Sequence, residues 1–415
     1  MSDGFIAFKG LGWGAAALLA VAAIMPSSSD SQWNPLQRLS TRSELQRPGL
    51  LKKNASLSTT TTPTTQPSTS TTTTPIMPEL TTIPSNFDVM SEMVSYPVPG
   101  TSAPDLGAFR FLCMPGQVLA DDPIVYPGQP RTSHLHQFFG NTAANANSTY
   151  TSLRTTGQST CQSPLNRSGY WVPALLNGKG SVVRPDIVSV YYKRWPAKDF
   201  HCNSQGGYPT KFNVEGTACV ALPNGLRFIM GYNMTNPSQS PTGAVQFMCT
   251  QDLANNETMA QAVQRCKRTG LPTTQIIARI EAPNCWDGKN LDSADHRSHV
   301  AYSSYGDWGY LRCPTTHPYV IPTFTLSISY TVLNSDDPSV WHYSSDEMMP
   351  GAAPGSTFHG DWFGAWDPTA MAMWMDNCIE KDLNCSAGNL GNGYGMKTSS
   401  GFSTTANPRL VPIPS

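Results

Sequence analysis

Charged residues are scarce in this chain. Asp, Glu, Lys and Arg make up 13% of the 415 residues, about half of their share in typical soluble proteins. The formal net charge is −1, so no electrostatic attraction draws the chain to nucleic acid or to an acidic membrane surface. We therefore expect no nucleic-acid partner. A nearly neutral surface is compatible with uncharged partners, glycans among them.

Several catalytic signatures are missing as well. The sequence has no Gly-x-Ser-x-Gly elbow, no His-Glu-x-x-His zinc helix, no P-loop and no dinucleotide fingerprint. It also has no Cys-x-x-Cys pair of the kind that zinc ribbons and redox motifs use. We therefore set aside the enzyme classes that depend on these motifs.

The chain has no apolar run of the roughly 20 residues that a membrane span needs. Its longest small apolar run, residues 11–25, follows Lys9 and contains Ala20-Val21-Ala22, a small-residue pattern typical of signal-peptide cleavage sites. Residues 1–25 are therefore predicted to be a signal peptide or, alternatively, an N-terminal membrane anchor, with no other membrane contact. In both cases the bulk of the chain is expected to be secreted or at the cell surface.

A Thr/Ser/Pro-rich region follows, with its densest tract at 54–76. Such tracts are typical of extended, often O-glycosylated stalks. Residues 26–85 are therefore predicted to be a linker or stalk, and residues 86–415 to be a β-rich domain that carries the functional site.

The ten cysteines all lie beyond the linker. An even number in an oxidising compartment predicts up to five disulfides. Their connectivity cannot be read from sequence, although local bridges such as Cys202–Cys219 and Cys378–Cys385 are candidates. In a eukaryotic secretory protein some of the sequons would make the chain a glycoprotein; they are at Asn54, Asn147, Asn166, Asn233, Asn256 and Asn384.

Short apolar segments that alternate or are β-branched, each bounded by turn residues, predict strands. They are 187–192, 226–230, 244–248, 275–280 and 324–330. Two helices are predicted, at 255–267 and 370–381. Strands recurring with little helix between them predict a mainly β, β-sandwich-like single large domain with long disulfide-tied loops and a few short helices.

Six of the eight histidines lie in four short segments rich in acids, aromatics and glycine, namely 133–140, 295–299, 316–318 and 358–362. Only folding could bring these segments together. Imidazole changes charge near neutral pH and is the commonest metal ligand in proteins. We therefore predict one polar site built from distant parts of the chain.

Particular residues are assigned as follows. His134 and His136 would face the same side of a strand and could offer two imidazoles to one metal or substrate. Asp295 could orient His299 as a general base, whereas the alternative is a loop whose acids cap turns. The predicted catalytic residues are His134, His136, Asp295, His299, His359 and Asp361, and the predicted metal ligands are His134, His136 and Asp292.

Aromatic residues near the last histidine segment could stack on a sugar ring. Trp362 and Trp366 are predicted to form such a platform, although two tryptophans four residues apart could equally be buried packing. Tyr302 and Arg297 complete the predicted substrate-binding set.

The ordered motifs of the chain resemble DUF1996, a domain of unknown function found in secreted fungal and bacterial proteins. The likeness spans roughly 105–390 and rests on residues 122–125, 133–142, 170–175, 223–227, 284–292, 295–302, 313–318, 358–367 and 384–385. The resemblance implies an extracellular protein. Some fungal relatives join this domain to carbohydrate-binding modules, which associates it with polysaccharides. It carries no catalytic role with it.

The leading hypothesis is an extracytoplasmic hydrolase or lyase that acts on a polysaccharide or cell-wall glycan through a His/Asp site. A divalent metal cofactor held by the histidines is the main variant, and without a metal Asp295 and Asp361 could act as paired carboxylates. The alternative is a non-catalytic secreted or surface protein that binds glycan or metal, or a structural wall component. Convergence of the His and Asp side chains around an open cleft would favour an enzyme.

Overall fold

The computed structural model describes residues 81–101, 106–199, 202, 218–250, 252–256, 258–305 and 311–414. The predicted signal peptide or anchor (1–25) lies outside the described residues, and so does the predicted linker up to residue 80. His201 also lies outside them.

Within these ranges the chain is mainly strand. Strands β1 to β12 are Met93–Ser95, Gly107–Cys113, Pro115–Leu119, His136–Gly140, Gly169–Pro173, Leu175–Leu176, Ser181–Val183, Ile187–Arg194, Ala218–Cys219, Arg227–Gly231, Val245–Cys249 and Asp252–Asn256. Strands β13 to β24 are Thr273–Glu281, Cys285–Trp286, Val300–Ala301, Ser304–Tyr305, Leu311–Arg312, Tyr319–Val320, Thr323–Leu333, His342–Tyr343, His359–Phe363, Asn384–Cys385, Tyr394–Met396 and Leu410–Pro412.

The helices are short. They are α1 (Tyr150–Thr155), α2 (Met259–Arg268) and α3 (Pro368–Trp374), which continues into one π-helical turn, Met375–Ile379. Four 3-10 turns also occur in the described part of the chain, at Val89–Glu92, Pro237–Gln239, Pro338–Val340 and Asp346–Met348.

Two large sheets pack face to face. One has seven strands in the order β12-β11-β13-β19-β8-β2-β22, and the other has five in the order β10-β21-β5-β4-β3. Phe324 of the first sheet contacts Phe228 and Trp362 of the second, with ring centroids 6.0 and 5.2 Å away. The main hydrophobic core fills the space between them. The predicted mainly β, sandwich-like domain is thereby confirmed.

The predicted elements match the observed ones closely. Each of the five predicted strands overlaps β8, β10, β11, β13 or β19. The first helix begins four residues later than predicted, because 252–256 form β12 and Thr258 caps α2. The Thr258 hydroxyl accepts from Gln261 N, and the Gln261 side chain accepts from Thr258 N. This capping box fixes where the helix starts.

All ten cysteines are paired in five disulfides. The two local bridges considered above, Cys202–Cys219 and Cys378–Cys385, are both present. The others are Cys113–Cys161, Cys249–Cys266 and Cys285–Cys313. Because disulfides persist in oxidising compartments, they indicate a secreted or otherwise extracellular protein. In the described ranges no helix combines the length and the apolar character that crossing a bilayer requires.

The described sequons differ in exposure. Asn147 and Asn384 are exposed, whereas Asn166 and Asn233 are buried. The amide of Asn166 donates to the Tyr170 hydroxyl at 3.1 Å inside the core. Asn166 is therefore closed to a glycan in the folded domain.

A buried ion pair holds the start of the domain in place. Arg154 of α1 and Asp367 are 0% and 1% exposed, and their closest N and O atoms are 3.2 Å apart. The same Asp367 carboxylate accepts from the Ser85 hydroxyl at 2.7 Å and caps α3, and Arg154 Nε donates to the Ile83 carbonyl. Contacts with the domain therefore begin at Ile83, slightly before the predicted boundary at residue 86.

We expect Arg154→Met to lower the free energy of unfolding by about 3–5 kcal/mol, because it leaves the buried Asp367 carboxylate without its counter-charge. Chemical denaturation of the intact chain measures this. As a matched control, Asp367→Asn in the Arg154→Met background should recover part of the loss, since Asn also caps helices well. A loss below about 1 kcal/mol would show that the ion pair contributes little to the stability of the domain.

Candidate functional site

One face of the five-stranded sheet carries the candidate site. Along β21, His359, Asp361 and Phe363 point away from the main core, whereas Trp362 points into it. In register, Asp361 lies opposite Trp171 of β5 and Ile229 of β10. A second apolar cluster forms the floor of this face, and its buried members are Ile124, Phe138, Ala144, Leu153, Trp171, Phe363 and Ala365.

Three histidines converge at one end of this face. His136 is the first residue of β4 and His134 lies two residues before it, whereas His359 is the first residue of β21, with β5 between the two strands. The His134 ring centroid lies 4.2 Å from that of His136 and 5.0 Å from that of His359. One nitrogen from each ring lies within 4.8 Å of the other two. The structure therefore brings together three of the six predicted catalytic residues.

Backbone carbonyls orient two of these rings. His136 Nδ1 lies 3.0 Å from the Asp121 carbonyl oxygen, and His359 Nδ1 lies 2.9 Å from that of Thr357. A carbonyl can only accept, so Nδ1 carries the hydrogen in both rings and Nε2 keeps its lone pair. The Nε2 atoms of His134 and His136 are buried and have no hydrogen-bond partner. Metal-binding imidazoles are typically held through their other nitrogen in this way.

Burial keeps the three rings neutral. His136 and His359 are 0% and 4% exposed, and His134 is partly exposed. Burial, and then the neighbouring imidazole, lowers the pKa of His136 to about 3 and that of His134 to about 2. Burial also holds the pKa of His359 well below its ordinary value. Because metal ions bind the neutral form of imidazole, all three rings are in the ligating state near neutral pH.

Asp361 lies next to the three histidines. Its Oδ2 is 4.0 Å from His359 Nε2, and both carboxyl oxygens are buried without a hydrogen-bond partner. Burial and then the Asp122 carboxyl raise the pKa of Asp361 well above its ordinary value, while Arg297 opposes the rise. A buried polar group with no partner is costly, so packing does not explain an acid at this position.

Two further acids shape the site, and sequence reasoning gave neither a role. Asp121 accepts from Arg131 N and Ala146 N, at 2.8 and 3.0 Å, and so fixes the carbonyl that holds His136. Asp122 is buried and accepts from the backbone N–H groups of the two residues after Pro123; burial raises its pKa. The sequence feature that could have pointed to these acids is Asp121-Asp122-Pro123, which overlaps the first motif (122–125) of the resemblance described above.

The predicted Asp295–His299 pair is not grouped with the three histidines, and its side chains hydrogen-bond to their own loop and to β10. Asp295 Oδ1 accepts from Arg297 N, Ser298 N and the Ser293 hydroxyl, so it caps a turn; these hydrogen bonds outweigh its partial burial and lower its pKa. Both nitrogens of the buried His299 are engaged. Nε2 donates to the Arg227 carbonyl at 2.9 Å, and Nδ1 lies 2.8 Å from the Ser293 hydroxyl. Both imidazole nitrogens of His299 are therefore occupied, and Asp295 does not contact His299 as an orienting carboxylate but accepts from its own turn.

The predicted metal ligand Asp292 also has other partners. Its oxygens lie 2.8 Å from Arg227 Nε and 2.8 Å from His296 Nδ1. In the part of the chain that the structure describes, the group of side chains that could hold a metal ion is His134, His136 and His359. Asp292 is not in this group, and His359 is.

The two tryptophans are core residues. Trp362 is 0% and Trp366 1% exposed, and both belong to the main core, where Trp366 packs against Phe111 and Trp374. Fully buried rings present no face to a sugar, so packing replaces the predicted platform. Their spacing of four residues, with a turn between them, places both rings in the same interior.

The other two predicted substrate-binding residues bond to backbone. The Tyr302 hydroxyl donates to the Glu281 carbonyl at 2.8 Å. Arg297 donates to the carbonyls of Gly231 and Tyr232 at 3.2 and 2.8 Å, and its charge acts on Asp361. Arg297 therefore borders the site, whereas Tyr302 secures the surrounding loops.

We expect His299→Ala to lower the free energy of unfolding by about 1–3 kcal/mol, because it removes a buried side chain and its hydrogen bond to the Arg227 carbonyl. Urea denaturation measures this, with His317→Ala, a change at a partly exposed histidine, as the control. Zn²⁺ binding should stay as in the wild type. If His299→Ala lost Zn²⁺ binding at unchanged stability, the residue would belong to the site after all.

Sequence comparison places this geometry in a family. No curated protein and no solved structure is significantly similar to the chain. The model of the domain of unknown function DUF1996 matches residues 122–366. This match covers more than half of the chain, includes all three clustered histidines and agrees with the resemblance carried by the sequence motifs. The chain therefore belongs to the DUF1996 family.

Proposed function

We propose that the protein is an extracellular enzyme that uses a divalent metal, bound by His134, His136 and His359, to cleave a polysaccharide or cell-wall glycan as a hydrolase or lyase. One observation carries the proposal: three neutral imidazoles converge, and two of them have buried Nε2 atoms with no partner. Buried polar atoms normally find partners within the protein. A ligand from outside the chain would satisfy these.

The ligand set suits a catalytic rather than a structural metal. Structural zinc sites are closed by four protein ligands, whereas catalytic sites use three and leave a position open. A bound divalent cation would supply a Lewis acid that polarises a substrate oxygen. His134, the partly exposed member of the cluster, marks the side from which a substrate would approach.

Asp361 would serve the same centre. Its carboxyl oxygens lie beside His359 and have no partner in the protein, so they are free to bind a cation or a substrate hydroxyl. Arg297, fixed by two carbonyls, places its positive charge near this acid. The arrangement keeps a carboxyl group beside the three histidines.

Carbohydrate is proposed as the substrate on two grounds. The near-neutral, charge-poor chain is compatible with a glycan partner. The resemblance described above also links the domain to carbohydrate-binding modules in some fungal proteins. The same histidine cluster supports a second candidate, a secreted metal-binding protein without turnover, and the two are separated by experiment.

The metal site is tested by stripping the purified protein with a chelator and titrating it with Zn²⁺. We expect one equivalent to bind and His136→Ala to weaken binding by at least about 100-fold, since loss of an outer-shell partner alone costs about 10- to 100-fold. His317→Ala, which changes a partly exposed histidine outside the cluster, should bind like the wild type. Equal binding by His136→Ala and wild type would contradict the assignment.

Catalysis is tested with the Zn²⁺-loaded protein on a panel of polysaccharides. New reducing ends would report hydrolysis, and ultraviolet absorbance of unsaturated ends would report elimination. We expect one of these signals from the wild type and a signal slower by about 100-fold or more from His136→Ala, because the Lewis acid is lost. Stoichiometric Zn²⁺ binding with no turnover of any glycan would favour the non-catalytic alternative.

A further inference from the structure

A fourth histidine, His296, is fixed beside the same site. The loop that carries it runs along the free edge of β10, where Arg227 N donates to the Leu291 carbonyl and Ile229 N donates to the His296 carbonyl, both at 3.0 Å. Ile229 lies directly opposite Asp361 in the sheet register. Asp361, Ile229 and His296 therefore form one row across the sheet. Neighbouring strands are about 4.8 Å apart, so the backbones of His296 and Asp361 are about 10 Å apart along this row.

The backbone of His296 has an unusual conformation. Its φ is +56°, in the left-handed region that residues other than glycine rarely adopt. Glycine or asparagine would adopt this φ more easily. Strained residues cluster at functional sites, where the surrounding structure holds them in place. Here the hydrogen bond to β10 holds the backbone, and the position nevertheless carries an imidazole.

Asp292 orients the His296 side chain. Its Oδ1 lies 2.8 Å from His296 Nδ1, and its Oδ2 accepts from Arg227 Nε at 2.8 Å. A carboxylate on Nδ1 fixes the tautomer in which Nε2 keeps the lone pair. Within the described residues Nε2 makes no hydrogen bond, and the side chain is 22% exposed. This combination of an oriented ring and a free, solvent-reachable nitrogen is the arrangement of a general base.

Asp122 interacts electrostatically with both His296 and Asp361. Burial raises the pKa of the Asp122 carboxyl and His296 opposes the rise, while Asp122 adds to the effect of burial in raising the pKa of Asp361. Geometry gives the same placement, because Arg227, which pairs with Asp292, lies over the Phe363 ring at 5.0 Å, and Phe363 belongs to the apolar floor of the site. His296 is therefore beside the face that carries His359 and Asp361, at the edge of a different strand, and is not one of the three grouped histidines.

We propose that His296, positioned by Asp292, is the acid–base residue of this site; the inference rests on the enzymatic function proposed above. In hydrolysis, Nε2 accepts a proton from water while the water oxygen bonds to the carbon of the scissile bond. In elimination, Nε2 accepts the proton from carbon instead. The glycosidic C–O bond breaks, and the protonated imidazole returns the proton to the leaving oxygen. No further reactant is needed for the balance.

The central variant is His296→Gly, because glycine adopts the left-handed backbone without strain and leaves room for a free imidazole. On the glycan that the wild type cleaves, we expect kcat to fall by about 100-fold or more, the usual contribution of a positioned acid–base group. KM should change little. Added imidazole should restore part of the rate, which a purely structural role would not allow. Zn²⁺ binding should stay within about twofold of the wild type, since the three metal ligands and the carbonyls that orient them are untouched.

Two companion variants sharpen the result. His296→Asn also tolerates a left-handed φ and should reproduce the loss of kcat without rescue by imidazole, which controls for folding of the glycine variant. Asp292→Asn should lower kcat and change its pH profile while it leaves Zn²⁺ binding intact, because Asp292 positions His296 and contacts no substrate.

The outcomes separate the two proposals. A wild type that binds no Zn²⁺ or cleaves no glycan defeats the proposed function. A wild type that is active, with His296→Gly equally active, overturns only the role of His296. Loss of Zn²⁺ binding in His296→Gly, or a loss of activity that imidazole does not restore, would make His296 a structural residue and also overturn its catalytic assignment.

Discussion

The alternation of side chains along β21 is the constraint on which the site depends. Because successive residues of a strand point to opposite faces, His359 and Asp361 reach one face while Trp362 reaches the core between the sheets. A shift of one residue in the pairing of β21 would exchange these faces. The buried Trp362, in contact with Phe228 and Phe324, therefore secures the register that presents the polar residues. Packing on one side of the sheet thus fixes where the polar side chains lie on the other.

The site concentrates polar groups that the protein itself leaves unsatisfied. Most buried polar atoms of a folded domain find a partner, as His299 does with the Arg227 carbonyl and Ser293. The Nε2 atoms of His134 and His136 and both oxygens of Asp361 do not. The free-energy cost of burying these groups is offset by the many apolar contacts of the two clusters. His299 has both imidazole nitrogens hydrogen-bonded within the protein, whereas His134 and His136 each keep a buried nitrogen without a partner.

Much of the fold could be predicted from the sequence, because strand patterns and turn residues are local. The strands β8, β13 and β19 and the local disulfides are of this kind. His134 and His136 were identified for the same reason, since a spacing of two is meaningful within one strand. The grouping of His359 with them depends on β5 lying between β4 and β21, and strand order is a long-range property that a single sequence does not display.

The residues that were misassigned failed for identifiable reasons. Asp295 lies four residues before His299, a spacing that suits an acid–base pair. Its carboxylate instead accepts hydrogen bonds from the N–H groups of its own turn. Trp362 and Trp366 lie next to the site in sequence, yet alternation turns Trp362 into the core. Burial of aromatics is the commoner outcome, and proximity along the chain did not outweigh it.

The buried ion pair of Arg154 and Asp367, together with the hydrogen bond from Arg154 to Ile83, fixes where the preceding chain joins the domain. Helix α1, which contributes Arg154, also contributes Leu153 to the apolar floor shared with Phe363. The polypeptide consequently joins the domain on the histidine-bearing side of the five-stranded sheet, at the opposite end of β21 from His359. A force applied through the chain at Ile83 would therefore reach the domain on the side that carries the histidines.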